Sequence, residues 1–172
     1  MFIDESAVLT NMARRYGRSP RGQRALAKVP FGNWKRLSVL GAINRDGMVA
    51  VMSVDAATDS AVFTAYLDEV LLPRLRQDKP DAVLVMDNLR AHKTPAVQGG
   101  LDRSGFAYRY LPSDSPDFSP IEPAWAKVKS SLRRIAARTV DALELTLGPA
   151  LDTITARDAA GFFRHCGYPC PN

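Results

Sequence analysis

A mixed β-sheet with helices packed on it, an α/β domain, is what the order of apolar runs in this chain predicts. Three observations carry that expectation. Residues 37–43 and 48–54 are strand-length apolar runs joined by Asn44, Arg45, Asp46 and Gly47, a hairpin signal. Residues 82–86 form a continuous apolar run suited to a strand buried on both faces. Stretches of helical period separate this run from its neighbours. With 172 residues and 46% hydrophobic content the chain supports one domain with a substantial core.

Taken in order, Phe2 and Ile3 followed by Asp4 predict a short strand that ends on a carboxylate. The segment RRYGRSPRGQRALAKVPFGNWKR is broken by Gly17, Pro20, Gly22, Pro30 and Gly32, so an extended loop is expected. The hairpin follows. From Thr58 to Leu72 the residues Phe63, Tyr66, Leu67, Val70 and Leu71 recur at helical spacing, with Pro73 as the expected stop. The 82–86 strand ends on Asp87. Thr94 and Pro95 read as N-cap and first residue of a helix weakened by Gly99 and Gly100. Residues 106–111 supply the fifth strand. Thr139 caps a helix interrupted near Gly148 and Pro149, and Thr155 with Asp158 opens a last one.

Composition narrows the function. Lys and Arg outnumber Asp and Glu by 23 to 18, a net charge of +5, and the excess is localised. From Asn11 to Asn44 there are eight cations and no acid, interleaved with Tyr16 and Trp34. A second basic group, Lys127, Lys129, Arg133, Arg134 and Arg138, lies near residue 130. Such surfaces suit a polyanion, and a nucleic acid above all; the alternative is a solvated charged loop. No apolar run approaches membrane-spanning length and no signal-peptide pattern opens the chain, so a cytoplasmic location is expected. Cys166 and Cys170 with His165 fall short of the four ligands a zinc site needs, and free thiols are expected.

The stretch LPSDSPDFSPIEPAWAKVK, residues 111–129, turns from a proline-rich loop into an amphipathic helix bearing Ile121, Trp125, Val128 and Leu132 on one face. Ser119 and Glu122 read as a capping box, with Pro123 moving the regular helix a residue or two later. Down the face from Glu122 come Lys129 and Arg133, one carboxylate above two cations. Among the other acids, Glu5 points to the face opposite Asp4, and Asp114 and Asp117 read as turn formers. Asn88 either orients a water or simply caps its strand. His92 is open between a general base, a DNA contact and a satisfied loop histidine. Arg90 and Lys93 are either phosphate contacts or solvated charges. Trp125 reads as core.

Asp4 in FIDES, Asp87 in VLVMDNLRAHK and Glu122 in SPDFSPIEPAWAKVK, the last two separated by thirty-four residues, resemble the acidic triad of the DDE transposases, in the bacterial insertion-sequence branch related to the mariner elements. PRGQR in the basic loop, Trp34 and FRHCGY near the end extend the likeness over nearly the whole chain. Two departures stand out: Asp114 occupies a position where the family commonly has tyrosine, and Ser119 one where it has asparagine.

The resemblance implies a ribonuclease H-like fold, a mixed five-stranded sheet flanked by helices. Residues 1–138 would be the DDE catalytic domain and residues 139–172 a C-terminal helical extension of it. Asp4, Asp87 and Glu122 would be the catalytic residues and the ligands of two Mg²⁺ ions, with Mn²⁺ able to substitute. The chemistry agrees, because two hard cations stabilise both ends of a phosphoryl transfer and need only oxygen ligands. Arg18, Arg21, Arg24, Lys35, Arg90, Lys93, Lys129 and Arg133 would contact DNA, namely transposon ends and a target.

The implied activity is DNA strand cleavage and strand transfer by a homodimer on the bacterial nucleoid. Since the sequence begins just before Asp4, end recognition is expected from a helix-turn-helix part, encoded separately or joined by frameshift. The alternatives are a truncated, non-catalytic DNA-binding remnant, or another ribonuclease H-like nuclease.

Overall fold

The computed structural model describes residues 1–169. Five strands form one sheet: β1 (Phe2–Leu9), β2 (Arg36–Asn44), β3 (Gly47–Val54), β4 (Leu84–Met86) and β5 (Tyr108–Tyr110), in the spatial order β3-β2-β1-β4-β5. β1 pairs antiparallel with β2 and β2 with β3, whereas β4 runs parallel to β1 and β5 parallel to β4. The mixed five-stranded sheet is thus as expected. The hairpin turn is held by Asn44, whose Oδ1 accepts from the amides of Asp46 (2.7 Å) and Gly47 (3.1 Å), and Gly47 supplies the φ of 135° that the turn requires.

β1 corrects the expectation of a strand ending at Asp4. It continues to Leu9, and every residue from Phe2 to Leu9 faces a partner in β2. The long, buried β2 offers main-chain groups along its whole length, and pairing with them outweighs the polarity of Glu5 and Ser6.

The helical elements are α1 (Ser60–Ala65), α2 (Leu72–Asp78), α3 (Pro95–Ser104), α4 (Ile121–Ile135), α5 (Val140–Leu151) and α6 (Ala156–His165). Asp59 caps α1, Thr94 caps α3 and Thr139 caps α5, while Thr155 and Asp158 form a capping box at α6. Two expectations fail. Pro73 does not stop its helix: a π-helical turn at Tyr66–Leu71 resets the hydrogen-bond ladder, and Pro73 falls in the first turn of α2, where its missing N–H is not needed. Ser119 and Glu122 form no capping box either. A 3₁₀ turn at Pro116–Phe118 feeds the chain into α4 with Pro120 already in helical conformation, and the contact is the Glu122 amide to the Ser119 carbonyl, 3.1 Å. Glu122 keeps its place in the first turn, and Pro123 lies inside the helix.

Alternation along the strands splits the core in two. Phe2, Val39 and Ile43 pack under Trp125, Val128 and Leu132 of α4, with Leu147 of α5 and Phe163 of α6. Ile3, Leu40 and Ala42 pack against Phe63, Leu67, Leu75, Val97 and Leu101 on the other side. Helices α4 to α6 therefore cover one face and α1 to α3 the other. Cys166 is buried with a free thiol, and Cys170 lies outside the described residues. Among the described residues no helix is long and apolar enough to cross a membrane.

The seat of α4 is Gly41. It pairs with Asp4 across the β1–β2 ladder, and a Cβ on it would lie 2.8 Å from Cη2 and 2.9 Å from Cζ2 of the Trp125 ring. Gly41→Ala is expected to destabilise the fold by about 1–3 kcal/mol by overpacking. Gly161→Ala, in α6 with open space around the added methyl, should instead stabilise by about 0.5–1 kcal/mol. Urea unfolding midpoints test both, and an unchanged midpoint for Gly41→Ala would contradict this seating.

Candidate active site

Strand register brings the first two acids together. Ile3 pairs with Met86 in the parallel β1–β4 ladder, so the next residues on each strand, Asp4 and Asp87, come side by side. Glu122 arrives from the first turn of α4. All three line one cleft of about 370 Å³, with Asn88, Asp114 and Ser119 on its walls. The cleft lies beyond the carboxyl end of β4, where open α/β sheets gather ligands. Asp114, at the loop position where the sequence reads a turn former, adopts φ 53° and adds a fourth carboxylate.

The helix that delivers Glu122 also fixes Asp4. Trp125 Nε1 donates to Asp4 Oδ2 at 3.1 Å. Trp125 is core, as its place on the apolar stripe indicates, but no local signal reveals this bond.

Negative charge crowds the cleft. The Asp4 carboxyl is pushed up to about 7, first by burial and then by the neighbouring negative charges of Glu122, Asp87 and Glu5. Burial lowers the proton affinity of Lys129, with Glu122 and Asp4 pulling it up and Arg133 and Arg15 pushing it down, so this amine stands between the acids and the arginines. Among the described residues no three of His, Cys, Asp and Glu converge closely enough to enclose one ion. Mg²⁺ does not require that, since it binds through one or two carboxylates, waters and substrate phosphates. The donors fit such an ion: hard oxygens, excess negative charge, and beside Asp87 the Oδ1 of Asn88, buried without a partner while its Nδ2 donates to Ser113 Oγ at 2.9 Å.

Glu5 and His92 take positions the sequence left open. Glu5 points to the face opposite Asp4, as strand alternation predicts. There its Oε2 lies 3.0 Å from His92 Nε2. The imidazole has no exposed surface and stacks on Phe63, ring centres 4.1 Å apart. Its Nδ1 lies 2.6 Å from Asp87 Oδ1, an ion-pair contact whose angle is not that of a well-aligned hydrogen bond. A buried ring cannot touch DNA, so His92 is an internal histidine that bonds Glu5 through Nε2 and stands in ion-pair contact with Asp87 through Nδ1. Burial opposes its charging, but Asp87 and Glu5 overcome that and raise its proton affinity to about 9. The pairing joins residues 87 apart in sequence, and only the tertiary fold brings them together.

The expected DNA contacts occupy three areas: the segment between β1 and β2, the turn after Asp87, and the face of α4 that carries Lys129 and Arg133. Arg18, Arg21, Arg24 and Lys35 are exposed on an irregular segment between β1 and β2. Its base is closed by the Lys35 amide bonding to Thr10 Oγ1 (3.0 Å) and by Arg138 bonding to the carbonyls of Thr10 (3.1 Å) and Met12 (2.8 Å). Arg90 and Lys93 are exposed on a 3₁₀ turn, Lys93 Nζ lying 5.2 Å from the Tyr110 ring centre. Where the loop meets α4, Arg14, Arg15, Arg133 and Arg134 line a second cleft of about 500 Å³. Arg14 and Arg15 escaped the sequence reading as contacts because only folding lays them beside α4. Among the described residues none of these cations has a carboxylate within ion-pair distance.

Asp4 and His92 both bind more protons folded than unfolded. Asp4 does so between its ordinary carboxylate value and about 7, and His92 between its ordinary value and about 9. The burial-lowered Met1 ammonium acts the other way near its ordinary value, but the two larger shifts outweigh it, and stability of the metal-free chain is expected to fall as pH rises from about 4 to about 9. Melting temperatures across that range test it. Asp4→Asn should remove the decline below about pH 7 and His92→Gln the decline above it; a melting temperature that climbs over this range would contradict the geometry.

Comparison with known proteins agrees with the sheet order. A sequence model described as DDE superfamily endonuclease matches residues 1–144. No curated protein sequence matches the chain. Among solved structures, the Mos1 transposase paired-end complex with left transposon end superposes with a TM-score of 0.75 at 15% identity, over 96% of this chain and 51% of that one. A pre-cleavage Mos1 transpososome gives 0.76 at 14% identity, over 96% and 52%. The Mos1 transposase catalytic domain with Raltegravir and Mg gives 0.69 at 12% identity, over 96% and 77%. The chain thus spans about half the length of the transposase chains in the two larger assemblies. The fold is the ribonuclease H-like one of the Mos1 catalytic domain, with the sheet and flanking helices described above. Matched over far more than half its length, the chain belongs to the DDE superfamily endonuclease family.

Proposed function

We propose that this chain is the catalytic part of an insertion-sequence transposase, cutting DNA at transposon ends and joining it to a target, with Asp4, Asp87 and Glu122 carrying the reaction. One observation carries the reading: three acids from β1, the end of β4 and the start of α4 share one cleft in a member of this endonuclease family. Two Mg²⁺ ions, or Mn²⁺ in their place, would be held by these carboxylates and supply positive charge at the phosphorus and at the entering and leaving oxygens.

The chain's own residues do the rest. Trp125 holds one oxygen of Asp4, and the Leu89 amide donates to Oδ1 of Asp87 at 3.2 Å, so each carboxylate is anchored at one oxygen. Hydrolysis forms a P–O bond from water and breaks the bond to the 3′ oxygen, which leaves as a 3′-hydroxyl. That hydroxyl then attacks a target phosphodiester and releases the target's own 3′-hydroxyl. Lys129, between Glu122 and Arg133, faces a phosphate entering the cleft. Arg18, Arg21, Arg24, Lys35, Arg90, Lys93 and Arg133 hold the backbone on either side, and the four-arginine cleft extends that track.

Residues 1–138 form the catalytic domain in this reading, and α5 and α6 belong to its C-terminal extension. The active assembly is a homodimer on DNA in a bacterial cytoplasm, at the nucleoid, with end recognition by a helix-turn-helix part encoded separately or joined by frameshift. That Mos1 transposase forms a paired-end complex with a transposon end and a strand transfer complex supports DNA as partner and a paired arrangement.

Nicking of supercoiled plasmid tests the chemistry. It should require Mg²⁺ or Mn²⁺ and fall to background in Asp87→Ala; equal nicking by both proteins would remove the enzymatic reading. For binding, replacing Arg18, Arg21 and Arg24 with alanine is expected to reduce the slope of log affinity against log salt by about 2–3, about 0.9 per lost phosphate contact. An unchanged slope by fluorescence anisotropy would exclude the three from the interface.

A further inference from the structure

We propose that Glu5 and His92 are positioning residues which lock the Asp87 carboxylate from behind, Glu5 acting through the imidazole from the face of the sheet opposite the cleft. The inference rests on the reading of Asp87 as a reaction carboxylate.

Adjacent residues of β1 point to opposite faces. Asp4 meets Trp125 on the α4 side, and Glu5 meets His92 on the side of α1 and α3. The 3₁₀ turn Arg90–Lys93 brings the chain back after Asp87 and puts His92 behind it. The turn is tied down, since the His92 amide bonds to the Leu89 carbonyl at 3.2 Å and the Tyr110 hydroxyl donates to the His92 carbonyl at 2.9 Å. Stacked on Phe63 and fully buried, the ring has no free rotation. Its two nitrogens span Glu5 Oε2 at 3.0 Å and Asp87 Oδ1 at 2.6 Å.

With a carboxylate oxygen within contact distance of each nitrogen, the direction of the ring is set at both ends. Asp87 Oδ1 is thus held between the imidazole, in ion-pair contact, and the Leu89 amide, which donates to it, while no hydrogen bond to Oδ2 is formed among the described residues. Two contacts on one oxygen fix the carboxylate plane and aim the second oxygen. Removing Glu5 leaves the far nitrogen buried without a partner and opens a space beside it, so the ring shifts in its pocket and loosens the Asp87 contact. Orientation of a ligand by its hydrogen-bonded neighbours commonly changes metal affinity 10–100-fold, about the range expected here.

Glu5→Ala and Glu5→Gln in the full chain separate orientation from bulk. In the metal-free protein, amide exchange of Leu89 should rise roughly tenfold in Glu5→Ala, the effect of one lost hydrogen bond. Glu5→Gln, whose amide oxygen still accepts from Nε2, should recover most of the protection. Mn²⁺ affinity by calorimetry should weaken about 10–100-fold in Glu5→Ala and be largely restored in Glu5→Gln. If the alanine variant does not fold, Glu5→Leu carries the same expectation. Wild-type exchange and Mn²⁺ affinity in Glu5→Ala would overturn the proposal, as would equal impairment of the Gln and Ala variants. Failure of the wild type to bind Mn²⁺ would count against the transposase reading instead, with the exchange of Leu89 still deciding the clamp.

Discussion

The seating of the Trp125 indole over Gly41 is the contact on which the arrangement depends. A single helix supplies Glu122 from its first turn and, one turn later, the ring that packs on the sheet and donates to Asp4. Gly41 stands directly across the ladder from Asp4, so the space vacated by a missing side chain lies beside the carboxylate that the ring must reach. Packing and polar geometry are therefore one event. α4 cannot approach the sheet without bringing two acids to a fixed separation, and the burial that drives its approach also raises the proton affinity of Asp4.

Around that contact the two faces of β1 divide the work. One face places Asp4 in the cleft, and the other sends Glu5 to the imidazole behind Asp87. The parallel pairing of β1 with β4 aligns Asp4 with Asp87, and the antiparallel pairing with β2 sets Gly41 across from Asp4. A shift of one residue in either ladder would turn Asp4 to the wrong face and Glu5 into the cleft. Register is thus a chemical constraint here as well as a packing one.

Much of this was legible in the sequence. The hairpin at Asn44–Gly47, the buried run before Asp87, the caps at Thr94, Thr139 and Thr155, and the stripe of α4 are local signals that a strand, turn or helix cannot do without. So is the opposition of Asp4 and Glu5, which follows from strand alternation alone. The failures share a cause. The length of β1 is decided by its partner β2, the passage of Pro73 by a π turn, and the start of α4 by a preceding 3₁₀ turn, none of which a residue's own neighbours encode. His92, Trp125 and Arg15 read as a loop residue, a core residue and a charge, and their further roles come from partners distant in the chain.

The basic segment between β1 and β2 leaves and re-enters the domain through one narrow neck, where the Thr10 amide donates to the Lys35 carbonyl, the Lys35 amide to Thr10 Oγ1, and the Arg138 guanidinium to the carbonyls of Thr10 and Met12. Because the two ends are fused side by side, the cost of closing whatever lies between them grows only with the logarithm of its length. Changes of length within that segment therefore cost the fold little. In the reading of this chain as a nuclease, the reach of the gripping segment can vary without rebuilding the sheet that carries the acids.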